Sequence, residues 1–411
     1  MGKDSYKCAE RVIAPDPAQW HFRRFAGTER SGDARVLFTQ NEVDVMKLLC
    51  WCRHLSPVDL AHFLSETELT NLMQMGLIKY HLRSSSVTIT TRGVQYLSGY
   101  MALPELSRSY HEEAIQRRLR LSKVVLTVYR SGTDVFLLSP ESLKEYDGMF
   151  LSSLTRGRGK NPWGNSRTAA LLRLGDSIYA IHYVGLGIGH IALLDELTTF
   201  SNQISRLKLA DQRFMFAGES YSTILSELEQ LPSQKANKLL TYADAYHQLH
   251  LPVHLVSCDE VGALQLRLMA VPAYRRRLTL AALGDAYEPP PRGQTDLDAL
   301  YQGHPFVMAA DMDLRRIDRA LAQAGQRQIC LAALSRQAEE VLYTRYRDSG
   351  KARVFTLTDT AIVEVLGEGW QFYQPGKEPY LTEKGEMLHA PSIQAHRAHG
   401  KSGGTESRQL A

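Results

Sequence analysis

The chain has 411 residues, 44 % of them hydrophobic and 22 % charged. That is an ordinary globular composition, with material for roughly two or three domains and a sizeable core. The net charge of +4 permits a nucleic-acid partner without demanding one. The five cysteines, at 8, 50, 52, 258 and 330, are odd in number in a large chain, which implies no disulfide framework and points to a reducing compartment. The opening MGKDSYKCAERVIAPDP has no apolar core of a signal peptide. The most apolar stretch, IYAIHYVGLGIGHIALL, is broken by two histidines and three glycines, which speaks against a membrane span. A soluble, cytoplasmic protein with no membrane partner is expected.

In chain order, residues 1–34 carry little periodicity, two prolines (Pro15, Pro17) and a Gly-rich end, and read as an N-terminal arm. Three helix starts follow, each a Ser or Thr with an acid three residues on: Thr39 with Glu42, Ser56 with Asp59, Ser65 with Glu68. In such a pair the hydroxyl caps a free N–H and the carboxylate reaches back to the cap. Pro57 stands at the first helical position, where its missing N–H costs nothing. NEVDVMKLLCWCRH places Val43, Met46, Leu49 and Cys50 on one face; PVDLAHFL offers Leu60, Phe63 and Leu64; ETELTNLMQMG offers Leu69, Leu72 and Met73, with Gly76 as a stop. LIKYHL and SVTITTRG then read as two strands joined by the polar turn RSSS. Helix, short helix, helix and hairpin are the order of a winged helix-turn-helix, expected over 35–103.

A polar, partly basic helix over 104–123 and two strands, VVLTVY and DVFLLS, are expected to link this part to the next over 104–149. RGRGKNPWGNSR at 156–167 is a basic loop. The strands TAALLRLG and SIYAIHYVG and the helix HIALLDELTTFSNQISRLK come next, and then repeated strand–helix units: RFMFAG with YSTILSELEQL, PVHLVS with DEVGALQLRLM, PFVMAA with LRRIDRALAQAG, then RQICLAAL and ARVFTLT. The fold class expected is therefore α/β, with an N-terminal winged helix-turn-helix and, over 150–390, a mainly parallel sheet flanked by helices, nuclease-like or Rossmann-like. The polar tail 391–411 reads as disordered.

The chemical candidates are few. Gly185, Gly187 and Gly189 fall one residue short of a dinucleotide fingerprint, and no Lys–Ser/Thr pair follows them; they read as a structural turn at a strand end. Cys50, Cys52 and His54 lie on one helix at spacings that do not share a face. His247 and His250 can share a face ahead of His254, with Asp259 not far, but no ligand set is complete. No G-x-S-x-G elbow is present, and Glu112–Glu113 and Asp195–Glu196 read as solvated faces. No catalytic residue, metal ligand or cofactor is assigned. A DNA-binding set is. Thr67, Thr70, Asn71 and Gln74, beside Glu68, would face the major groove from the third helix, where Asn and Gln read adenine and Thr meets a thymine methyl. Lys79, Arg83 and Arg92 would hold phosphates. Arg156, Arg158, Lys160 and Arg167, with Trp163 for stacking, would grip the backbone or engage single strands. From Arg35 to Tyr100 six basic residues stand against five acidic ones, and winged helices also pair with proteins, so that use stays open.

The order of parts resembles the plasmid replication–relaxation (relaxosome accessory) proteins of mobile elements. The resemblance rests on TTRGVQYL at 90–97 after the winged helix, and on TAALLRLG and SIYAIHYVG running into a long helix; it covers about residues 35–200. It implies a second domain of the restriction-endonuclease type. An active domain of that type carries an Asp near the first strand and E-x-K on the second, to hold Mg²⁺ and activate water. Here the first strand offers Ala169, Ala170 and Leu171 and the second Ala180, Ile181 and His182, with Asp176 only in the turn. The H-x-H strand of a two-histidine relaxase is also absent. The resemblance thus implies a degenerate nuclease-like domain, and a non-catalytic DNA-binding accessory protein that assists DNA relaxation, transfer or replication. Double-stranded DNA is the expected partner, with a relaxase, another protein or a second copy of the chain beside it. The alternatives are a transcription regulator or scaffold that uses the winged helix for pairing, and a metal-dependent nuclease.

Overall fold

In the computed structural model the residues described are 38–104, 111–155, 170–184, 211–229, 243, 246–247, 250–346, 350–367, 380–381, 387–388 and 392–393. The protein is α/β and divides into two compact units. The first runs through Leu126 and takes in Phe136–Leu138 and Ser153–Thr155; the second holds the remainder.

The first unit starts with three capped helices, α1 (Gln40–Cys52), α2 (Pro57–Leu60) and α3 (Glu66–Gln74). Thr39 Oγ1 accepts from the Glu42 N–H at 3.2 Å while the Thr39 N–H donates to Glu42 Oε2 at 2.7 Å. Ser65 and Glu68 form the same reciprocal box around α3, and Ser56 caps α2 ahead of Pro57. These local bonds satisfy N–H groups that a helix start leaves without partners. Gly76, at φ +67°, supplies the left-handed turn that stops α3. The second half of α1 is buried on every side: Leu48, Leu49, Cys50, Trp51 and Cys52 all lie in the core with Leu55, Leu60, Leu72 and Val87.

Strands β1 (Ile78–His81) and β2 (Ser86–Ile89) form an antiparallel hairpin in the register Ile78↔Ile89 to His81↔Ser86. Leu55 bridges to Val87 through two backbone bonds of 3.1 and 2.8 Å, which sets the hairpin against the turn after α1. TRGVQYL, expected as the exit of the hairpin, is a helix of its own, α4 (Thr91–Ser98), capped by Thr90.

Two expected strands are absent. VVLTVY continues α5 (Glu112–Arg130), where Val124, Val125, Leu126 and Val128 are buried. A short, mostly apolar run carries no period that separates a buried strand from a buried helix, and here the preceding helix runs through it. DVFLLS is not a strand either: Phe136 packs edge-on against Trp51 at 5.1 Å, and the Trp51 indole N–H donates to the Leu137 carbonyl at 3.4 Å.

Among the described residues the second unit has two mixed sheets, and a two-stranded antiparallel pair of Tyr380–Leu381 with Met387–Leu388, where one mainly parallel sheet is expected. The first has the order β3-β4-β5-β6-β7: β3 (Gly148–Leu151), β4 (Ala170–Leu174) and β5 (Ser177–Tyr183) are antiparallel, and β5, β6 (Asp211–Gly218) and β7 (Val253–Ser257) are parallel. The second sheet holds β8 (Ala299–Tyr301), β9 (His304–Met308), β10 (Ile329–Ala333) and β11 (Ala352–Thr356), parallel except for β8. The expected strand–helix units supply α6 (Tyr221–Leu228) after β6, α7 (Glu260–Met269) after β7 and α9 (Leu314–Ala324) after β9. A further helix, α8 (Tyr274–Leu283), follows α7. The sheets are joined where His254 of β7 bridges Asp313 and the Leu255 N–H donates to the Met312 carbonyl at 3.2 Å. Ser392 and Ile393, in the segment expected as a disordered tail, pair with Thr356 of β11, and Ile393 is buried. Among the described residues no helix is long and apolar enough to cross a membrane.

Candidate nucleic-acid interface

Helix α3 buries Leu69 and Leu72 and exposes Thr67, Thr70, Asn71 and Gln74. This is the outcome of a 3.6-residue period on an amphipathic helix. Lys79 is exposed on β1 opposite Thr88, Arg83 is exposed in the hairpin turn, and Arg92 is exposed in the first turn of α4. Glu68, which the sequence places among the exposed groups of α3, is occupied. Its carboxylate accepts from the Ser65 N–H and hydroxyl at 2.8 Å each and from the Thr39 hydroxyl at 3.1 Å. The Ser65 N–H, above all, holds it below the usual carboxylate range.

Charge is unevenly spread along this unit. Glu42, Asp59 and Glu68 serve as helix-start acids, and Asp44 pairs with Lys47 at 3.0 Å. From Leu69 to Pro104 there is no Asp or Glu at all, and Lys79, Arg83 and Arg92 fall in that stretch. The near-neutral total over 35–100 therefore conceals a hairpin and a following helix, α4, that carry bases and no acid, while the acids Glu66 and Glu68 stand in the first turn of α3. Arg156, Arg158, Lys160 and Arg167, with Trp163, lie outside the described residues, as do Gly185, Gly187 and Gly189.

The turn end of the hairpin holds a largely buried polar cluster that sequence reading missed. His54 Nδ1 lies 3.1 Å from the Ser86 hydroxyl, Ser84 and Ser86 hydroxyls are 2.8 Å apart, and His81 Nε2 is 2.8 Å from Thr88 Oγ1. The serine turn, read as a polar linker, thus ties the hairpin to the end of α1. Burial first, then the charges of Arg118, His81 and Arg53, push His54 down to about 4 from its usual 6.5. In the second unit burial alone pushes His182 down to about 3. Both rings are neutral when folded at neutral pH, and the unfolded chain takes up these protons as pH falls through about 6.5. The folded chain binds fewer protons over that window, so stability is complete above it and is lost as pH falls towards 4. Urea denaturation near pH 7 and near pH 4.5 should show a loss on the order of 2 kcal/mol per histidine; equal stabilities at the two pH values would contradict it.

The second unit gathers polar groups where β7, β9 and β10 give way to their helices, the end of a parallel sheet at which α/β proteins place their sites. Asp311, fully buried, accepts from the Tyr274 hydroxyl at 2.6 Å and meets Arg316 at 3.4 Å and Arg275 at 3.8 Å. Burial by itself would raise the carboxyl. Arg316 and Arg275, with His254 and the Tyr274 hydroxyl, more than offset it and hold Asp311 well below the usual range. Its carbonyl accepts from Gln265 at 3.0 Å and stands 2.8 Å from His254 Nδ1. Gln265, Gln337 and Tyr221 bond to one another at 2.6–3.1 Å, and Gln337 also reaches the Ala310 carbonyl. Each of these groups is engaged by another part of the same unit, so the cluster acts as a fastening between the two sheets. DMDLRR at 311–316 is the only sequence signal for it: two acids and an arginine pair directly after an apolar strand.

The positions that a restriction-type nuclease would use are apolar or spent. Ala170, Leu171, Ala180 and Ile181 are buried, His182 stacks on Phe214 at 5.1 Å, and Asp176 is exposed in the β4–β5 turn; Ala169 lies outside the described residues. Of the histidines at 247, 250 and 254, the first two are exposed and the third is fully buried against Asp311 and Arg213. Cys50 and Cys52 are buried, and burial pushes the Cys50 thiol up to about 12. Among the described residues no group of three His, Cys, Asp or Glu side chains is arranged to hold a metal ion. No protein-family model, curated protein or solved structure matches the chain.

Proposed function

We propose that the first unit is a winged helix-turn-helix that binds double-stranded DNA, with α3 in the major groove and the β1–β2 hairpin as its wing. The observation that carries this reading is the pairing of two surfaces. Four exposed polar side chains, Thr67, Thr70, Asn71 and Gln74, lie opposite the buried leucines of α3. They are followed by an acid-free stretch with exposed Lys79, Arg83 and Arg92. The first set suits base edges and the second suits phosphates. On the resemblance over 35–200, the protein is a non-catalytic accessory of a mobile genetic element that assists relaxation, transfer or replication of its DNA, alongside a relaxase. The apolar strand positions at 170–171 and 180–181 support the non-catalytic part of this reading.

Fluorescence anisotropy of the full chain with duplex and single-stranded DNA at two salt concentrations, with and without Mg²⁺, tests it. Salt-sensitive duplex binding that leaves the DNA intact is expected. Replacing Lys79, Arg83 and Arg92 together by Ala should flatten the salt slope by about 0.9 for each phosphate that is no longer neutralised. Asn71→Ala should cost about 1–3 kcal/mol at a preferred site with little effect on non-specific binding. No binding to any duplex at low salt overturns the reading, and Mg²⁺-dependent cleavage overturns its non-catalytic part.

A further inference from the structure

We infer that Leu82 is an apolar wedge, carried by the hairpin into the minor groove of duplex DNA, where it opens a base step while Arg83 occupies the groove beside it. This rests on the DNA-binding reading above and adds to it a deformation of the bound DNA. Leu82 is 79 % exposed, the most exposed large hydrophobic residue among those described. It occupies the first position of the turn between β1 and β2, where turn chemistry favours Gly, Asn, Asp or Ser over Leu. Nothing in the hairpin needs it there, because the core side is filled by Ile78 and Val87.

A wedge has to be held rigidly, and the residues beneath Leu82 hold it. The Ser85 N–H donates to the Leu82 carbonyl at 3.3 Å, and Ser85 itself stands at φ +43°. The buried Ser84 and Ser86 hydroxyls bond to each other and Ser86 to His54, while Leu55 bridges Val87. The turn is thus fastened inward through Ser84 and Ser86, and Leu82 and Arg83 project from it. Charge selects the occupant. With Lys79, Arg83 and Arg92 exposed and no acid between residues 69 and 104, the surroundings of Leu82 favour an anionic partner over an apolar protein surface. A leucine flanked by cations fits the minor groove, where apolar side chains part base steps and arginine follows the narrow, electronegative A·T-rich channel. A flexible pyrimidine–purine step beside an A·T run is the sequence that would yield most readily.

The experiment uses the full chain and short duplexes carrying 2-aminopurine at a TA step, either in an A·T-rich or in a G·C-rich surround. It reads 2-aminopurine fluorescence for unstacking, energy transfer between the duplex ends for bending, and anisotropy for affinity. The expected result is a fluorescence rise and a shortened end-to-end distance with the wild-type chain. Leu82→Ser should abolish both signals while raising Kd about tenfold at most, and Leu82→Met should restore part of them. Arg83→Ala should remove the preference for the A·T-rich duplex. Leu82 is solvated, so its replacement leaves the fold in place. DNA bound with unchanged fluorescence and no bend overturns the wedge while leaving the DNA-binding reading intact. Leu82→Ser that keeps both DNA signals but dissolves a dimer seen in sedimentation also overturns it, and places Leu82 between copies of the chain. Absence of any duplex binding overturns the DNA reading itself, and the wedge with it.

Discussion

Arg316→Met is expected to lower the stability of the second unit by about 3–5 kcal/mol, the cost of removing one partner from a buried ion pair. Arg316 is buried on α9. Its guanidinium donates to Asp298 Oδ2 at 2.7 Å, to Asp311 Oδ1 at 3.4 Å, and to the Met308 and Asp296 carbonyls. Burial opposes its charge, but Asp298 and Asp311 outweigh that and raise its pKa. Methionine keeps much of the volume and abandons the carboxylates. Asp311 would then be left with the Tyr274 hydroxyl, the Asp313 N–H at 3.3 Å and Arg275 at 3.8 Å, too little to offset desolvation of a charge.

The pH dependence makes the test specific. In the wild-type unit the Asp311 carboxyl is held low, so its contribution is complete above the usual carboxylate value and is lost as pH falls below it. In Arg316→Met the carboxyl rises and accepts a proton at milder pH, so the gap between variant and wild type should narrow on acidification. Adding Asp311→Asn to the variant should recover part of the loss. Urea denaturation followed by circular dichroism, with hydrogen exchange at the β9 and α9 amides, measures all three. A loss under about 1 kcal/mol would mean that water reaches the pair and screens it as at a surface.

Gly262→Ala is expected to cost about 3 kcal/mol or more, with the opposite sign to the usual effect of alanine in a helix. Glycine inside a helix ordinarily costs about 0.5–1 kcal/mol relative to alanine. Gly262 lies in the first turn of α7, which Asp259 caps by accepting from the Val261 and Gly262 N–H groups at 3.0 Å each. A Cβ on Gly262 would stand 1.7 Å from the Ser257 carbonyl oxygen and 2.8 Å from its carbon. Those are backbone atoms at the end of β7, and they cannot move as a side chain does. Cys258 next to them donates its N–H to the Gly218 carbonyl at 2.7 Å, so relief would have to disturb the β6–β7 junction. Overpacking against backbone of this kind is among the largest single-residue penalties. Gly99→Ala is the control. Its added Cβ would meet only the Tyr96 carbonyl at 3.5 Å, an ordinary approach, and stability should change little. Thermal denaturation of the two variants separates the cases, and a Gly262→Ala chain as stable as the wild type would show that α7 can lift off β7 freely.

The order of helices and hairpin in the first unit was legible because its signals are local. Thr39–Glu42, Ser56–Asp59 and Ser65–Glu68 bond within four residues, Gly76 acts through its own φ, and the leucines of α3 recur at the helical period. The strand–helix units of the second unit were legible for the same reason. GMFL at 148–151 was not, since four apolar residues between loops carry no period, and VVLTVY misled because an apolar, β-branched run satisfies strand and buried helix alike.

By itself, then, the sequence determined where most helices begin and stop, which faces of α3 are apolar and polar, and that the stretch from Leu69 to Pro104 has bases and no acid. Tertiary structure alone decided how β3 to β11 divide into two sheets. It alone buried Asp311 among Arg316, Arg275 and Tyr274, drawn from separate segments, and turned Ser84 and Ser86 of the hairpin inward towards His54 while leaving Leu82 in solvent. Capping and periodicity are settled by neighbours within one or two turns of chain. Burial, strand pairing and the charge state of a buried carboxyl depend on groups that only the folded chain brings together.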